Sequence, residues 1–222
     1  MLHKKAKHTV AMSDGKKKLK GENRNKFQKG SHPTASKLKN KMEAINRQFR
    51  KFMFTAFSYL PTRYKANAEQ WKVRNFIWAF KNGEEWACNG AARIVVAQVI
   101  KKYGNEAKNM VFACVPASSE HKNKIRYGHF SELVCKETGM QNAFEHITVE
   151  VDRLAIHETE KGKRLNVVSI LDFDKDFFKG KKVLVFDDII TQGFSYGNFA
   201  NLIETFGACV LGGIFLAKTI NL

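Results

Sequence analysis

The chain has 222 residues, 44% of them hydrophobic, which suits one sizeable core plus an extension. Its net charge of +17 is uneven: residues 1–65 hold 18 of the 38 Lys and Arg but only three of the 21 Asp and Glu, a net +15 against +2 for the rest. No apolar run approaches the ~20 residues of a membrane span, no apolar stretch follows Met1, and the four cysteines form no Cys-x-x-Cys pair, so the composition speaks against a spanning helix, a secretory leader and a zinc ribbon, and a cytoplasmic protein with reduced thiols is expected.

Residues 1–35 are rich in Lys, Asn, Gly and Ser and have no sustained apolar period, so a flexible basic tail is expected. Such a tail either grips the phosphate backbone of a nucleic acid or is simply solvated, and the residues leave both open. Residues 36–65 form a second unit. Ser36 offers a cap, and Leu38, Met42, Ile45, Phe49, Phe52 and Met53 recur at helical spacing up to Pro61, which predicts a helix over 36–60. Its apolar stripe predicts docking on the core behind it rather than on a membrane surface.

Residues 66–222 read as the main domain. Two helical stretches come first. One runs through "AEQWKVRNFIWAFKNG", with Trp71, Phe76 or Ile77, and Phe80 as its core face, and its Trp residues expected in the core or as interface anchors. The other runs through "CNGAARIVVAQVIKKYG" to Gly104. Strands and helices then alternate: a strand at "MVFACV", a helix over 121–138, strands at "HITVEV" and "LNVVSI", a strand at "KVLVF", a helix at "SYGNFANLIETFG" and a last strand at "CVLGGIFLAKTI". That order predicts an α/β fold, a parallel sheet with helices on both faces.

The chemistry concentrates in "VLVFDDIITQGFS", from Val183 to Ser195. Ligands of open α/β sheets bind beyond the carboxyl ends of the strands, and Asp187 and Asp188 stand at such an end. Thr191, Gln192, Gly193, Phe194 and Ser195 follow as a turn into a helix, where backbone N–H groups converge on one spot and make an anion site. The helix end alone is worth ~0.3–1 kcal/mol, so several donors must act together. Anion donors with two carboxylates a few residues upstream match a sugar phosphate: the phosphate for the turn, vicinal hydroxyls for the acids. Two adjacent acids at a strand end are a poor choice for folding unless a ligand or a cation joins them.

This string resembles the phosphoribosyl-pyrophosphate motif of type I phosphoribosyltransferases: apolar residues, two acids, then a Thr-Thr-Gly-x-Thr/Ser turn. The resemblance narrows to the competence-associated ComF-like subgroup and covers about residues 70–220. "VRNFIWAFKNG" resembles that subgroup's helix with an apolar-Lys-x-x-Gly end. "VFACVPASS" resembles its short pyrophosphate loop, with Pro116, Ala117, Ser118 and Ser119. "KIRYGHFSELVCKETG" resembles its Arg-Gly-Phe-Asn segment and places Arg126 near the phosphates. "VDRLAIHETEKGKRLNVVSI" resembles its mobile segment and carries Arg153, Lys161, Lys163, Arg164 and Asn166.

The resemblance implies a type I phosphoribosyltransferase-like sheet and a Mg²⁺-dependent transferase. It would bind phosphoribosyl pyrophosphate and pass the phosphoribosyl group to an unidentified nitrogenous base or amine. Asp187 and Asp188 would hold the ribose hydroxyls, and residues 191–195 would wrap the 5′-phosphate. Lys163 and Arg164 would close over the pyrophosphate and complete the catalytic set, with Mg²⁺ held mainly by substrate oxygens. Thr191 stands where purine salvage enzymes carry Asp, and as a poor general base it points away from purine salvage. The subgroup's cysteine-rich finger is replaced by a basic tail and helix. Alternatives from other classes are a non-catalytic regulator that binds the same ligand or a nucleotide, and an accessory factor for DNA uptake whose tail holds nucleic acid. A homodimer is compatible with the resemblance.

Overall fold

A computed structural model of the chain describes residues 35–149 and 171–220. The basic tail, the strand expected at 165–170 and the segment with Arg153, Lys161, Lys163, Arg164 and Asn166 lie outside the described residues.

Helix α1 (Ala35–Phe49) leads into strand β1 (Phe52–Tyr59), then α2 (Ala68–Lys81), α3 (Glu85–Tyr103) and β2 (Met110–Cys114). A short helix α4 (Glu120–Asn123), a π turn (Lys124–Gly128) and α5 (His129–Thr138) run on without a break to β3 (Gln141–Asn142). A small antiparallel pair, β4 (Ile147–Val149) with β5 (Leu171–Phe173), stands apart from the main sheet. The short α6 (Lys175–Phe178), β6 (Lys182–Ile190), α7 (Phe194–Thr205) and β7 (Cys209–Thr219) complete the described part.

The main sheet has five strands in the order β1-β7-β6-β2-β3, and every neighbouring pair is parallel. Parallel strands must be buried on both faces, and β2 and β6 read accordingly as near-continuous apolar runs. Alternate residues serve opposite faces. Leu184 and Phe186 of β6 join Phe112 of β2, Phe80 of α2, Val95 of α3 and Phe130 of α5 in one core. Val183 and Val185 join Val111, Phe178, Phe199 and Ile203 in the other, under α6 and α7. The expected α/β class, a parallel sheet flanked by helices, is what the chain adopts.

Local chemistry sets the element ends. Asn67 and Gln70 form a reciprocal capping box at the start of α2. Buried Arg74 donates to the carbonyls of Leu60, Pro61 and Tyr64 and so ties the β1–α2 connection to the helix.

Two expectations need correction. The helix predicted over 36–60 stops at Phe49, and Phe52 and Met53 are strand residues. "FMFTAFSY" is aromatic and uncharged, and pairing along β7 satisfies its backbone in a way that two more helical turns would not. What remains of the apolar stripe does dock. Ile45 is buried against Gly197, Phe49 packs on Gly193 and Tyr196, and Met42 faces solvent. Gln48, Arg47 and Lys51 reach Glu204 of α7. The second correction concerns tryptophan as a core residue: Trp71, Trp78 and Trp86 are 45%, 37% and 57% exposed, so of the two expected places the core is excluded, and the core face of α2 is Arg74, Ile77, Ala79 and Phe80. With Phe57, Val73 and Phe76, Trp86 borders a cleft of about 860 Å³ along β1.

Candidate functional site

The strand order reverses between β2 and β6. From β2 the chain moves outward to β3; from β6 it moves the other way, to β7. A crevice opens beyond the carboxyl ends of the strands at such a switch point, and this is where open α/β sheets take ligands. The two loops singled out in the sequence leave the sheet at this end. Cys114 lies opposite Phe186, and the Val115 N–H donates to the Phe186 carbonyl, so residues 115–119 leave β2 beside the end of β6.

On the β6 side, the strand carries both acids and continues to Ile190. Gly193 then adopts a left-handed conformation (φ 72°) as N-cap of α7. It makes no side-chain cap, so the first N–H groups of α7 have no side-chain acceptor at the cap. A cavity of about 450 Å³ opens there, bordered by Asp187, Ile190 and residues 191–195. Thr191 is anchored by a 2.7 Å hydroxyl–hydroxyl hydrogen bond to Thr219 at the end of β7. Phe194, 42% exposed, forms part of the cavity wall.

The two acids take different contacts. Asp187 borders that cavity and accepts from the Asp188 N–H at 2.9 Å. Burial, then the neighbouring Asp188, push its carboxyl well above the usual carboxylate range. Asp188 is buried and meets two cations: Arg126 Nη1 lies 2.8 Å from Oδ2, and Lys81 Nζ 3.4 Å from Oδ1. The problem of two adjacent like charges is therefore solved inside the chain. Burial opposes the charge on Arg126, but Tyr127 and Asp188 outweigh it and raise the guanidinium further. Below the trio lies an aromatic floor: Phe186 contacts Phe130 at 4.5 Å, Phe80 at 5.9 Å and Tyr127 at 6.2 Å between centroids. Such a floor keeps water out and strengthens each charge contact above it.

On the β2 side, Pro116, Ala117 and Ser119 are buried and Ser118 is partly exposed. Asn123 Oδ1 accepts from the Ala117 N–H at 3.0 Å, and the Ser119 hydroxyl caps α4. The loop is thus fixed by the same helical segment that carries Arg126. Cys114, the last residue of β2, is no ready nucleophile: burial, then Cys135 and Asp187, push its thiol well above its ordinary value.

The structure therefore sets Asp187 and residues 191–195 around one cavity, places Arg126 on Asp188, and brings residues 115–119 off β2 beside the end of β6. Lys163 and Arg164 lie outside the described residues. Lys81 and Tyr127 had no sequence-derived role. Lys81 ends α2, where a basic residue ordinarily complements the helix dipole, so its position hid its contact with Asp188. Among the described residues no group of three or more His, Cys, Asp or Glu converges. No described helix is long and apolar enough to cross a membrane. The chain matches no protein-family model and no curated protein.

Proposed function

We propose that the chain is a Mg²⁺-dependent phosphoribosyltransferase similar to the type I, ComF-like enzymes, acting on phosphoribosyl pyrophosphate and a nitrogen nucleophile. The observation that carries this reading is the uncapped, left-handed turn at Gly193 with an acid-lined cavity, set across the switch point from the 115–119 loop. The turn suits a terminal phosphate. Asp187, whose ionisation is opposed by burial and by Asp188, gains most from hydroxyl donors or a cation, because both favour the charged form.

In the reaction the bond from ribose C1 to the pyrophosphate oxygen breaks and a C1–N bond forms. The nucleophile's proton leaves to solvent or to pyrophosphate. Positive charge develops on the sugar while negative charge departs, so the chain contributes positioning and electrostatics. The turn holds the phosphate end, Asp187 faces the ribose, and Arg126 and Lys81 stand where the departing charge needs cations. Asp187 and substrate oxygens would hold the Mg²⁺, which when bound neutralises the leaving group.

Isothermal titration of phosphoribosyl pyrophosphate tests the reading. Expected is Mg²⁺-dependent binding that is lost in the Asp187→Asn/Asp188→Asn variant, followed by pyrophosphate release with one member of a panel of bases and amines. Unchanged affinity in the double variant would overturn the site. Binding without release by any acceptor would favour the regulatory alternative.

A further inference from the structure

Lys81 and Arg126 come from elements 45 positions apart, and the chain takes trouble to bring them together. Gly83, just past α2, has φ 73°, and the carbonyl and side chain of Ile125 fill the space its Cβ would need. The end of α2 is thereby seated directly on the π turn that carries Arg126. A π turn inside an α-helix is rare and concentrates at functional sites.

Their contact with Asp188 is incomplete. Arg126 engages it through Nη1, while its Nε is buried with no hydrogen-bond partner. The fork thus meets Asp188 through one nitrogen and leaves its buried Nε without an acceptor. Lys81 Nζ stands off at 3.4 Å and its side chain is 33% exposed, against 17% for Arg126 and 7% for Asp188. A pair of cations built only to neutralise one buried acid would close on it. This arrangement instead has donor capacity in reserve, on the same helical segment whose Asn123 holds the 115–119 loop.

We propose that Lys81 and Arg126 form a binding pair for a diphosphate and that Asp188 is their built-in competitor. The diphosphate half of the ligand displaces Asp188, which is then released to take the ribose hydroxyls. This rests on the proposed function and adds a coupling to it: the two halves of the ligand bind cooperatively, because each stabilises the arrangement the other needs. A ligand lacking the diphosphate meets Asp188 still paired with cations. A diphosphate alone must leave a buried carboxylate without its partners, which opposes binding.

Titration of the full chain with inorganic pyrophosphate, with ribose 5-phosphate and with each in the presence of the other, all with Mg²⁺, tests the inference. Wild type should bind each probe weakly and the second more tightly once the first is bound. Asp188→Asn should bind pyrophosphate about ten-fold more tightly, the scale of one charge-assisted hydrogen bond returned to the ligand, and should lose the coupling. A purely structural ion pair would not produce a gain, and a damaged fold would produce a loss. Lys81→Met, at a partly exposed position, should weaken pyrophosphate about ten-fold and leave ribose 5-phosphate unchanged. Binding of both probes by wild type with unchanged pyrophosphate affinity in Lys81→Met, or with no gain in Asp188→Asn, overturns the competition and leaves the phosphoribosyl site standing. Failure of wild type to bind either probe overturns the site itself and the competition with it.

Discussion

The ring of Phe49, the last residue of α1, fills the space that a Cβ on Gly193 would occupy. The turn proposed to hold phosphate is therefore shaped from outside by the N-terminal helix as well as by its own glycine. Gly193→Ala should be costly on two counts. A left-handed alanine costs ~1–3 kcal/mol and forcing the ring aside a similar amount, so roughly 2–6 kcal/mol is expected. Urea unfolding of Gly193→Ala, Phe49→Ala and the double variant separates the two. The double variant should be less destabilised than the sum of the singles, because the steric part vanishes with the ring. Strict additivity would show that only the backbone angle matters.

Asp187 predicts an unusual dependence of stability on pH. Its folded pKa lies above its unfolded value, since burial and Asp188 both oppose its charge. Between the two values the native state binds more protons than the unfolded state, so stability falls as pH rises through that window. Asp187→Asn keeps the oxygen that accepts from the Asp188 N–H and removes the titration. It should stabilise the ligand-free protein at neutral pH by roughly 0.5–2 kcal/mol, a common gain where a functional group is strained for its task. The gain should shrink as pH falls towards about 4, where an ordinary Asp takes up its proton. Denaturant melts across that range measure it, and equal stability of the two proteins at every pH would contradict it.

Glu204 holds α1 in place and predicts the opposite slope. Burial raises its carboxyl, but hydrogen bonds from Lys51 and Gln48 and the charges of Lys51 and Arg47 outweigh it and bring the pKa below its ordinary value. The stability it contributes is present above its unfolded pKa and is lost as pH falls through the folded one. Glu204→Gln should loosen the docking of α1 without unfolding the sheet. Amide exchange in 43–49 should rise several-fold at neutral pH, while amides of β2 and β6 stay protected. Equal protection in the two proteins would mean that Ile45 and Phe49 alone secure the helix.

How much of this was legible in the sequence varies by element. The strands at "MVFACV" and "KVLVF" and the helix after the Gly193 turn announce themselves through apolar runs and the punctuation of Pro116 and Gly193, although the second strand extends four residues further, to Ile190. β1 did not, because Phe49, Phe52 and Met53 also fit a helical period. Only the vacant edge of β7 decides between helix and strand, and that edge comes from residues about 160 positions away.

The division is sharpest at the two acids. Sequence alone determined the α/β class, the apolar strand that leads into Asp187 and Asp188, and the glycine turn behind them, because apolar periodicity and turn chemistry are local properties; that the strand runs on through both acids to Ile190 came from pairing with β7. Only the tertiary structure decided that the acids part company, Asp187 to the cavity and Asp188 to Arg126 and Lys81. The reason is physical. A buried carboxylate takes whichever cations the fold brings within a few ångströms, and these come from α2 and from the π turn, whose approach depends on the missing Cβ of Gly83. Nothing in the neighbourhood of Asp188 along the chain encodes that meeting.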